Sequence, residues 1–245
     1  MPQTDAKMIS VSELFSKSLE IYKGAFWRLM AMTILPGIGV LLVGLVVSVF
    51  AVSKFILGVS AIGIFVNIIL GLLGIAALIF AIAFAILSTI AMLAMVNKGP
   101  KNITIKEALK EARPFVWKYL WTEVLGGIII LGGLILLVVP GIIWAVSFSM
   151  TCWIVLLEGK TNWTALKASK ELVKGYWWPV FGRGLLILCL SILLSIITSP
   201  FDRSAGGQSK YNIVRSIVDI VATPFTVAYL YNMYKSLRNI KKQPA

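Results

Sequence analysis

The sequence predicts an all-α polytopic membrane protein with six transmembrane helices. They form three parallel hairpin repeats, each preceded by an amphipathic surface helix on the cytoplasmic side. Of the 245 residues, 59% are hydrophobic and only 13% are charged, whereas soluble domains are nearer half apolar and about a quarter charged. In addition, a segment that begins with a helix cap and ends with tryptophan occurs three times. Residues 1–245 are predicted to form a single membrane domain.

Long apolar runs mark the membrane spans, because a helix needs about 20 mostly apolar residues to cross the hydrocarbon core. The runs of this length are Leu29–Val52, Phe55–Val96, Val124–Leu157, Val180–Ser199 and Ile213–Tyr234. Phe55–Val96 is too long for one comfortable span, and Val124–Leu157 is interrupted by Pro140-Gly141. The first run starts after a long charged and amphipathic lead, so no cleavable signal peptide is predicted.

Basic residues decide between one and two spans in Phe55–Val96. With six spans and the N-terminus inside, every Lys and Arg is cytoplasmic except Lys54, Arg203, Lys210 and Arg215. This bias fits the positive-inside rule, whereas a seventh span would move a basic cluster across the membrane. We therefore expect Phe55–Asn67 to be an outer loop, a surface segment or a re-entrant piece, followed by a span from about Ile68. Both termini are expected in the cytoplasm.

The Pro140-Gly141 pair lies in the middle of an apolar run with no charge near it. Proline is disfavoured inside a helix, and glycine permits positive φ angles. The pair therefore predicts a tight hairpin turn between two short helices. One kinked span followed by a partly buried segment is the alternative.

Three segments align when Ser10, Thr104 and Thr161 are placed in register. All three residues favour the N-cap position of a helix, and Ser10 and Thr104 have a Glu three residues later, which is capping-box spacing. Each segment ends on an aligned tryptophan, which is Trp27, Trp121 or Trp178. The alternative is three unrelated juxtamembrane helices.

The repeats are predicted to cover about residues 10–98, 104–159 and 161–235, with a short basic C-terminal tail at 236–245. A hairpin contains two spans, so all three units enter the membrane from the same side. Parallel repeats are related by an axis along the membrane normal. We therefore expect a pseudo-threefold arrangement.

Each aligned segment presents one apolar face at about 100° per residue. The faces comprise Phe15, Ser18, Ile21, Tyr22, Ala25 and Phe26; Leu109, Ala112, Phe115, Val116, Tyr119 and Leu120; and Leu166, Ser169, Leu172, Val173, Tyr176 and Trp177. Basic residues beside the last two faces are Lys106, Lys110, Arg113, Lys167, Lys170 and Lys174. The pattern predicts helices in the headgroup layer, with the apolar side in the membrane boundary and the basic side against anionic lipid headgroups. The tryptophans would mark where the chain enters the bilayer.

Ionisable residues inside membrane spans are the candidates for chemistry. Arg215 and Asp219 lie four residues apart on the last span, where they can pair; a place in a polar pathway is the alternative. Glu123 and Glu158 are expected at shallow depth. The sequence contains no His and no paired carboxylates, nucleophile–base set, P-loop or metal-ligating cluster. No catalytic, cofactor or metal site is therefore predicted, and no enzyme activity.

Three stretches give the chain a family resemblance. They are Pro140 to Glu158 with Trp153 inside it, Ala165 to Trp177, and the lead from Glu13 to Trp27. With them the chain resembles a large bacterial family of uncharacterised six-helix inner-membrane proteins, and a similar domain occurs fused to some glycerophosphodiester phosphodiesterases. The resemblance implies this fold and the bacterial cytoplasmic membrane. It transfers no active site, because the shared motifs are topological rather than catalytic.

The first functional hypothesis is a non-catalytic membrane protein that contacts lipid, and a membrane-protein partner, through its basic surface helices. The alternative is a small transporter or channel that uses Arg215, Asp219 and Pro224 of the last span. An enzyme would have only Glu123, Glu158 and Asp219 for its chemistry. A net charge of +13 would suggest nucleic acid in a soluble protein. The positive-inside rule accounts for it here, so no nucleic-acid partner is predicted.

Overall fold

The computed structural model describes residues 8–58, 60–99, 102–204 and 213–242. Almost all of this part of the chain is helical. The helices are α1 (Val11–Gly24), α2 (Phe26–Leu57), α3 (Ala61–Lys98), α4 (Ile105–Ala112), α5 (Val116–Leu136), α6 (Val138–Phe148), α7 (Thr151–Glu158), α8 (Asn162–Val173), α9 (Trp177–Ser204) and α10 (Ile213–Lys242). A 3₁₀ turn at Arg113–Phe115 joins α4 to α5. Lys7, Lys101 and Lys210, which count in the charge argument above, lie outside the described residues.

Five of the described helical segments are long and apolar enough to cross a membrane. They are Phe26–Leu57, Ala61–Lys98, Ile105–Leu136, Val138–Glu158 and Trp177–Thr198. The all-helical class predicted from the sequence is confirmed. The sixth predicted span lies in α10, a helix of 30 residues, and its crossing of the membrane stays a prediction.

The expected outer segment Phe55–Asn67 is helical on both sides of a turn. α2 continues to Leu57, the chain turns at Gly58, where φ is 54°, and α3 begins at Ala61. Ser60 caps α3, because its Oγ accepts a backbone N–H of the first turn at 3.1 Å. Of the three alternatives for this segment the outer loop is wrong, because charge counting indicates which side a segment faces but not where its helices end. A surface or re-entrant position stays a prediction.

The turn in the second hairpin lies before Pro140-Gly141 rather than at that pair. Leu137, with φ −161° and ψ 139°, alone separates α5 from α6. Pro140 therefore falls in the first turn of α6. A backbone N–H there has no acceptor within the helix, so the proline ring is tolerated. The hairpin itself is present, and the predicted position of its turn is corrected by three residues.

Gly133 and Gly141 permit close packing of α5 on α6. A Cβ atom at Gly141 would lie 2.5 Å from Leu134 Cδ2, and one at Gly133 would lie 2.6 Å from the Trp144 ring. Both distances are far shorter than a van der Waals contact. Small residues serve this purpose where membrane helices approach each other closely.

Residues 236–242, which the sequence assigns to a C-terminal tail, continue α10 as helix. Leu237 has no exposed surface, and Ser236 Oγ accepts the backbone N–H of Ile9 at 3.4 Å. This part of α10 therefore packs against the segment that leads into α1.

The core lies at the end of the bundle that carries α1, α4 and α8. Leu14, Leu29, Met95, Trp153 and Tyr234 are among the largest fully buried side chains. They come from α1 and from the adjoining ends of the long helices. The most apolar stretches of α2 and α3 bury none of their residues inside the protein, as expected of helices that are apolar all round and face lipid.

Candidate membrane-interface site

The three surface helices bury the same two aligned positions. These positions are Leu14 and Ser18 in α1, Ala108 and Ala112 in α4, and Ala165 and Ser169 in α8. All six side chains have no exposed surface. Residues four apart lie on one helix face, so each helix has a narrow buried stripe. The predicted face is rotated by one residue in α1, because Phe15 is 43% exposed.

Each surface helix packs on helices of the predicted membrane-spanning segments. α1 lies on α10, α4 on α3, and α8 on α5, α6 and α7. Ser18 Oγ accepts a hydrogen bond from Asn232 Nδ2 at 3.1 Å. Ser169 Oγ accepts the backbone N–H of Met150 at 3.2 Å and donates to the carbonyl of Ser147 at 2.8 Å. The buried face thus contacts protein, whereas the sequence placed it in the membrane boundary. A hydrophobic pattern alone does not distinguish lipid from another helix.

The basic residues predicted beside these faces are all exposed. They are Lys106, Lys110 and Arg113 on or next to α4, and Lys167, Lys170 and Lys174 on or next to α8. Within the described part of the chain, Lys174 alone among the six has a carboxylate within 4.0 Å, that of Glu171. Lys167 Nζ lies 5.8 Å from the centre of the exposed Trp163 ring. Five of these cations are therefore available to an anion outside the protein.

The two carboxylates of α4 are engaged in local contacts. Glu107 accepts the backbone N–H of Thr104 at 2.9 Å, and Thr104 Oγ1 accepts the N–H of Glu107 at 3.3 Å. These two bonds form the predicted capping box. Glu111 lies 2.8 Å from Lys98 Nζ, at the end of α3. Neither carboxylate forms an ion pair with the basic residues of α4 itself.

The three aligned tryptophans are exposed, at 80% for Trp27, 60% for Trp121 and 74% for Trp178. Each follows a surface helix near the start of a long apolar helix. Indole rings favour the boundary between headgroups and hydrocarbon. Their positions agree with the predicted interface, and their depth in a bilayer stays a prediction.

Glu158 is the centre of a polar cluster that the sequence did not indicate. Its carboxylate pairs with the guanidinium of Arg238, accepts a hydrogen bond from Tyr234 Oη at 3.0 Å, and lies 2.9 Å from Lys160 Nζ. Arg238 and Tyr234 belong to α10, and Glu158 ends α7. The cluster therefore connects α10 to the end of α7 in the second hairpin. Residues 76 and 80 positions apart in the chain give no local sequence signal.

The predicted intramembrane pair is close in space but is not enclosed by protein. Arg215 Nε lies 3.7 Å from Asp219 Oδ2, one turn apart on α10. The two side chains are 51% and 67% exposed. Within the described ranges, Arg215 and Asp219 form an ion pair only with each other.

A cavity of about 310 Å³ lies between α5, α6, α7 and α8. Its polar lining consists of Tyr119, Thr122, Glu123, Ser149, Thr151 and Cys152. The sequence indicated only Glu123, as a shallow residue. The lining residues come from four helices that pack together in the fold, so spacing along the chain does not reveal them.

Curated relatives of this chain are named as membrane proteins, which agrees with its five long apolar helices. A UPF0259 membrane protein of Pectobacterium carotovorum subsp. carotovorum is 24% identical over 147 residues, which are 60% of this chain and 58% of the relative. A UPF0259 membrane protein of Yersinia pestis is 24% identical over 151 residues, which are 62% of this chain and 58% of the relative. The chain is a helical membrane protein.

The similarity to these relatives is distant and partial. The matched region spans less than two thirds of their length. Their names state neither an activity nor a ligand. No family model and no solved structure matches the chain.

Proposed function

We propose that the protein is a non-catalytic membrane protein that binds anionic lipid headgroups through the basic sides of α4 and α8. The exposed cations of these two helices carry the proposal. The carboxylates nearest to them on α4 are held by Thr104 and Lys98, so the positive charge is not neutralised within the helix. A cationic helix side next to exposed tryptophan suits the headgroup layer.

The proposal includes the arrangement of the chain in the bilayer. We propose six spans in three hairpin units, with α10 as the sixth span and all three surface helices on the cytoplasmic face of a bacterial cytoplasmic membrane. The shared buried positions of α1, α4 and α8 support the repeat. The resemblance to bacterial inner-membrane proteins supports the location, while any tie to glycerophosphodiester phosphodiesterases stays a prediction.

The packing order of the surface helices also supports the repeat. α4 of the second unit packs on α3 of the first, and α8 of the third unit packs on the helices of the second. α1 of the first unit packs on α10 of the third. Each surface helix thus rests on the neighbouring unit and the order closes on itself, as a threefold arrangement about the membrane normal requires.

The magnitude of the electrostatic term is sufficient for lipid selection. Each Lys or Arg near an anionic membrane surface is worth about 1 kcal/mol. Three such residues on or next to α8 and three on or next to α4 therefore favour anionic over zwitterionic lipid by several kcal/mol when all reach the surface. A membrane-protein partner with an acidic face would use the same charges.

Charge reversal on α8 tests the proposal. The triple variant Lys167→Glu, Lys170→Glu, Lys174→Glu is purified in mild detergent, and its bound lipids are counted by native mass spectrometry. We expect it to retain less phosphatidylglycerol and cardiolipin than the parent. The matched control replaces the same three residues by Arg, which keeps the charge and is expected to retain parental lipid. Equal anionic lipid in the Glu variant and the parent would exclude the proposal.

The transporter alternative receives no support from the described residues. Arg215 and Asp219 are exposed on α10 and line no described cavity. At the cytoplasmic end, Trp153 is fully buried and its ring lies 5.1 Å from that of Tyr231. These rings fill the space between α7 and α10. The relatives' names state no enzyme activity either.

A further inference from the structure

The cavity next to Glu123 contains one acidic group and no basic group. Its lining includes the Glu123 carboxylate but no Lys or Arg. Among the described residues, no side chain pairs with Glu123 or donates a hydrogen bond to its carboxylate. An unpaired charge within a membrane helix is costly and marks a functional site by default. The chain as a whole is rich in Lys and Arg, with a net charge of +13. The lack of a basic residue in the cavity lining is therefore a local feature and does not follow from the composition.

A break between two helices forms part of the cavity wall, because Phe148, Ser149 and Thr151 all line the cavity. α6 ends at Phe148 and α7 begins at Thr151. Ser169 of α8 satisfies two backbone groups near the break. Non-helical backbone at membrane depth is tolerated where it is buried in protein or lines a cavity. The break therefore lines the cavity, and its backbone is bonded to Ser169 of α8.

Thr151 supplies a second polar group without a partner. Its side chain is only 3% exposed, and its Oγ1 forms no hydrogen bond within the described structure. Burial of a hydroxyl without a hydrogen-bond partner costs free energy, because the hydroxyl gives up its hydrogen bonds to water. A ligand with N–H donors would bond to the Thr151 hydroxyl oxygen and the Glu123 carboxylate together.

The volume of the cavity and a nearby lysine restrict the class of ligand that fits. A volume of about 310 Å³ lies at the lower end of small-molecule pockets, so it holds a headgroup but not a whole lipid. The exposed Lys118 lies four residues before Thr122 of the lining, which is about 6 Å along the helix. Lys118 and the lining residue Glu123 carry opposite charges five positions apart on α5, a pairing that suits a zwitterion.

We propose that this cavity binds the ammonium headgroup of a zwitterionic phospholipid, with Glu123 as counter-ion, Thr151 as hydrogen-bond acceptor and Lys118 beside the phosphate. Phosphatidylethanolamine has this chemistry. The site is separate from the basic sides of α4 and α8. It selects a positively charged ammonium group, whereas those helices are proposed to bind negatively charged headgroups. Its success or failure is therefore independent of the anionic-lipid proposal.

Titration of the full-length protein with a short-chain lipid tests the site. The delipidated parent and Glu123→Gln, in mild detergent, are titrated with dioctanoyl phosphatidylethanolamine and followed by native mass spectrometry. A charged hydrogen bond is worth about a factor of ten or more in affinity. We expect the parent to bind this lipid about tenfold more tightly than its N-acetylated form, which has no ammonium. Glu123→Gln is expected to lose that difference.

Two further variants separate a binding effect from a folding effect. Glu171→Gln removes an exposed carboxylate from α8 outside the cavity and is expected to bind like the parent. Gly127→Val fills the cavity without a change of charge, since a Cβ at Gly127 meets no atom within 4 Å. We expect it to weaken phosphatidylethanolamine binding while its dioctanoyl phosphatidylglycerol binding stays parental.

Three outcomes would overturn the proposal. The first is equal affinity of Glu123→Gln and the parent for phosphatidylethanolamine. The second is equal affinity of the parent for the N-acetylated lipid, which would remove the role of the ammonium. The third is binding of free phosphoethanolamine as tight as that of the lipid, which would assign the cavity to a soluble amine.

Discussion

The guanidinium of Arg238 pairs with the carboxylate of Glu158, 80 residues earlier in the chain. Both side chains are partly buried, with 33% and 17% of their surface exposed. Tyr234 donates to the same carboxylate at 3.0 Å. This contact joins α10 to the end of α7, so the position of the last helix depends on it.

We expect Glu158→Gln and Arg238→Gln each to destabilise the protein, because each removes the contact between two partly buried charges. A double-mutant cycle on unfolding in mild detergent should give a coupling free energy of about 1–2 kcal/mol. Lys17→Gln is the control, since its pair with Glu13 is half exposed and should contribute less than about 1 kcal/mol. Strictly additive effects of the two variants at Glu158 and Arg238 would show that the pair is not formed.

The contact between α5 and α6 predicts a difference between adjacent glycines. Gly133→Ala places a methyl group 2.6 Å from the Trp144 ring and 3.0 Å from the backbone of Gly141. We expect it to lower the free energy of unfolding by about 1–3 kcal/mol. A Cβ at Gly132 meets no atom within 4 Å, so Gly132→Ala is expected to be neutral or slightly stabilising. Thermal unfolding in detergent compares the two, and equal stabilities would contradict the close approach.

Loss of the Ser169 hydroxyl is expected to destabilise the protein, because two backbone groups depend on it. In Ser169→Ala the N–H of Met150 and the carbonyl of Ser147 both lose their partner. Each unsatisfied buried group costs about 1–3 kcal/mol, so we expect a clear fall in the unfolding midpoint. Ser16→Ala on the exposed side of α1 should leave the midpoint unchanged. A parental midpoint in Ser169→Ala would mean that water or another group replaces the hydroxyl.

The proposed lipid contact predicts a strong salt dependence. The Debye length falls from about 10 Å at 0.1 M salt to about 3 Å at 1 M. We expect high salt to release phosphatidylglycerol from the parent, while phosphatidylethanolamine bound at the cavity is retained, because enclosed pairs are screened less. Lipid counts by native mass spectrometry after a salt wash measure this. Retention of phosphatidylglycerol at high salt would contradict an electrostatic contact at the exposed lysines.

The sequence predicts the fold well where the signal is local. The caps at Ser10 and Thr104 form as predicted, because capping depends on residues three apart. The hairpin of the Val124–Leu157 run is present, but the turn lies at Leu137, since proline is tolerated in the first helical turn as well as in a loop. The turn within Phe55–Asn67 is marked by Gly58 and the N-cap Ser60, which are signals that charge counting does not use.

The sites depend on contacts between helices and are harder to predict. The exposed lysines of α4 and α8 were predicted from one helix at a time, because a charged face is visible in the local sequence. The partner of Glu158 comes from a distant helix. The cavity at Glu123 is created by a break at Ser149 and by packing of α8, so neither follows from residue spacing.

The central claim of the account is that α4 and α8 lie on the cytoplasmic face and the α2–α3 turn on the opposite face. Single cysteines at Lys110→Cys, Lys170→Cys and Ser60→Cys, in a background with Cys152 and Cys189 replaced by Ala, test this directly. A membrane-impermeant maleimide is applied to intact and to permeabilised bacterial cells. The account predicts that Ser60→Cys is labelled in intact cells, whereas Lys110→Cys and Lys170→Cys are labelled only after permeabilisation. Labelling of Lys110→Cys and Lys170→Cys on opposite faces of the membrane would contradict it.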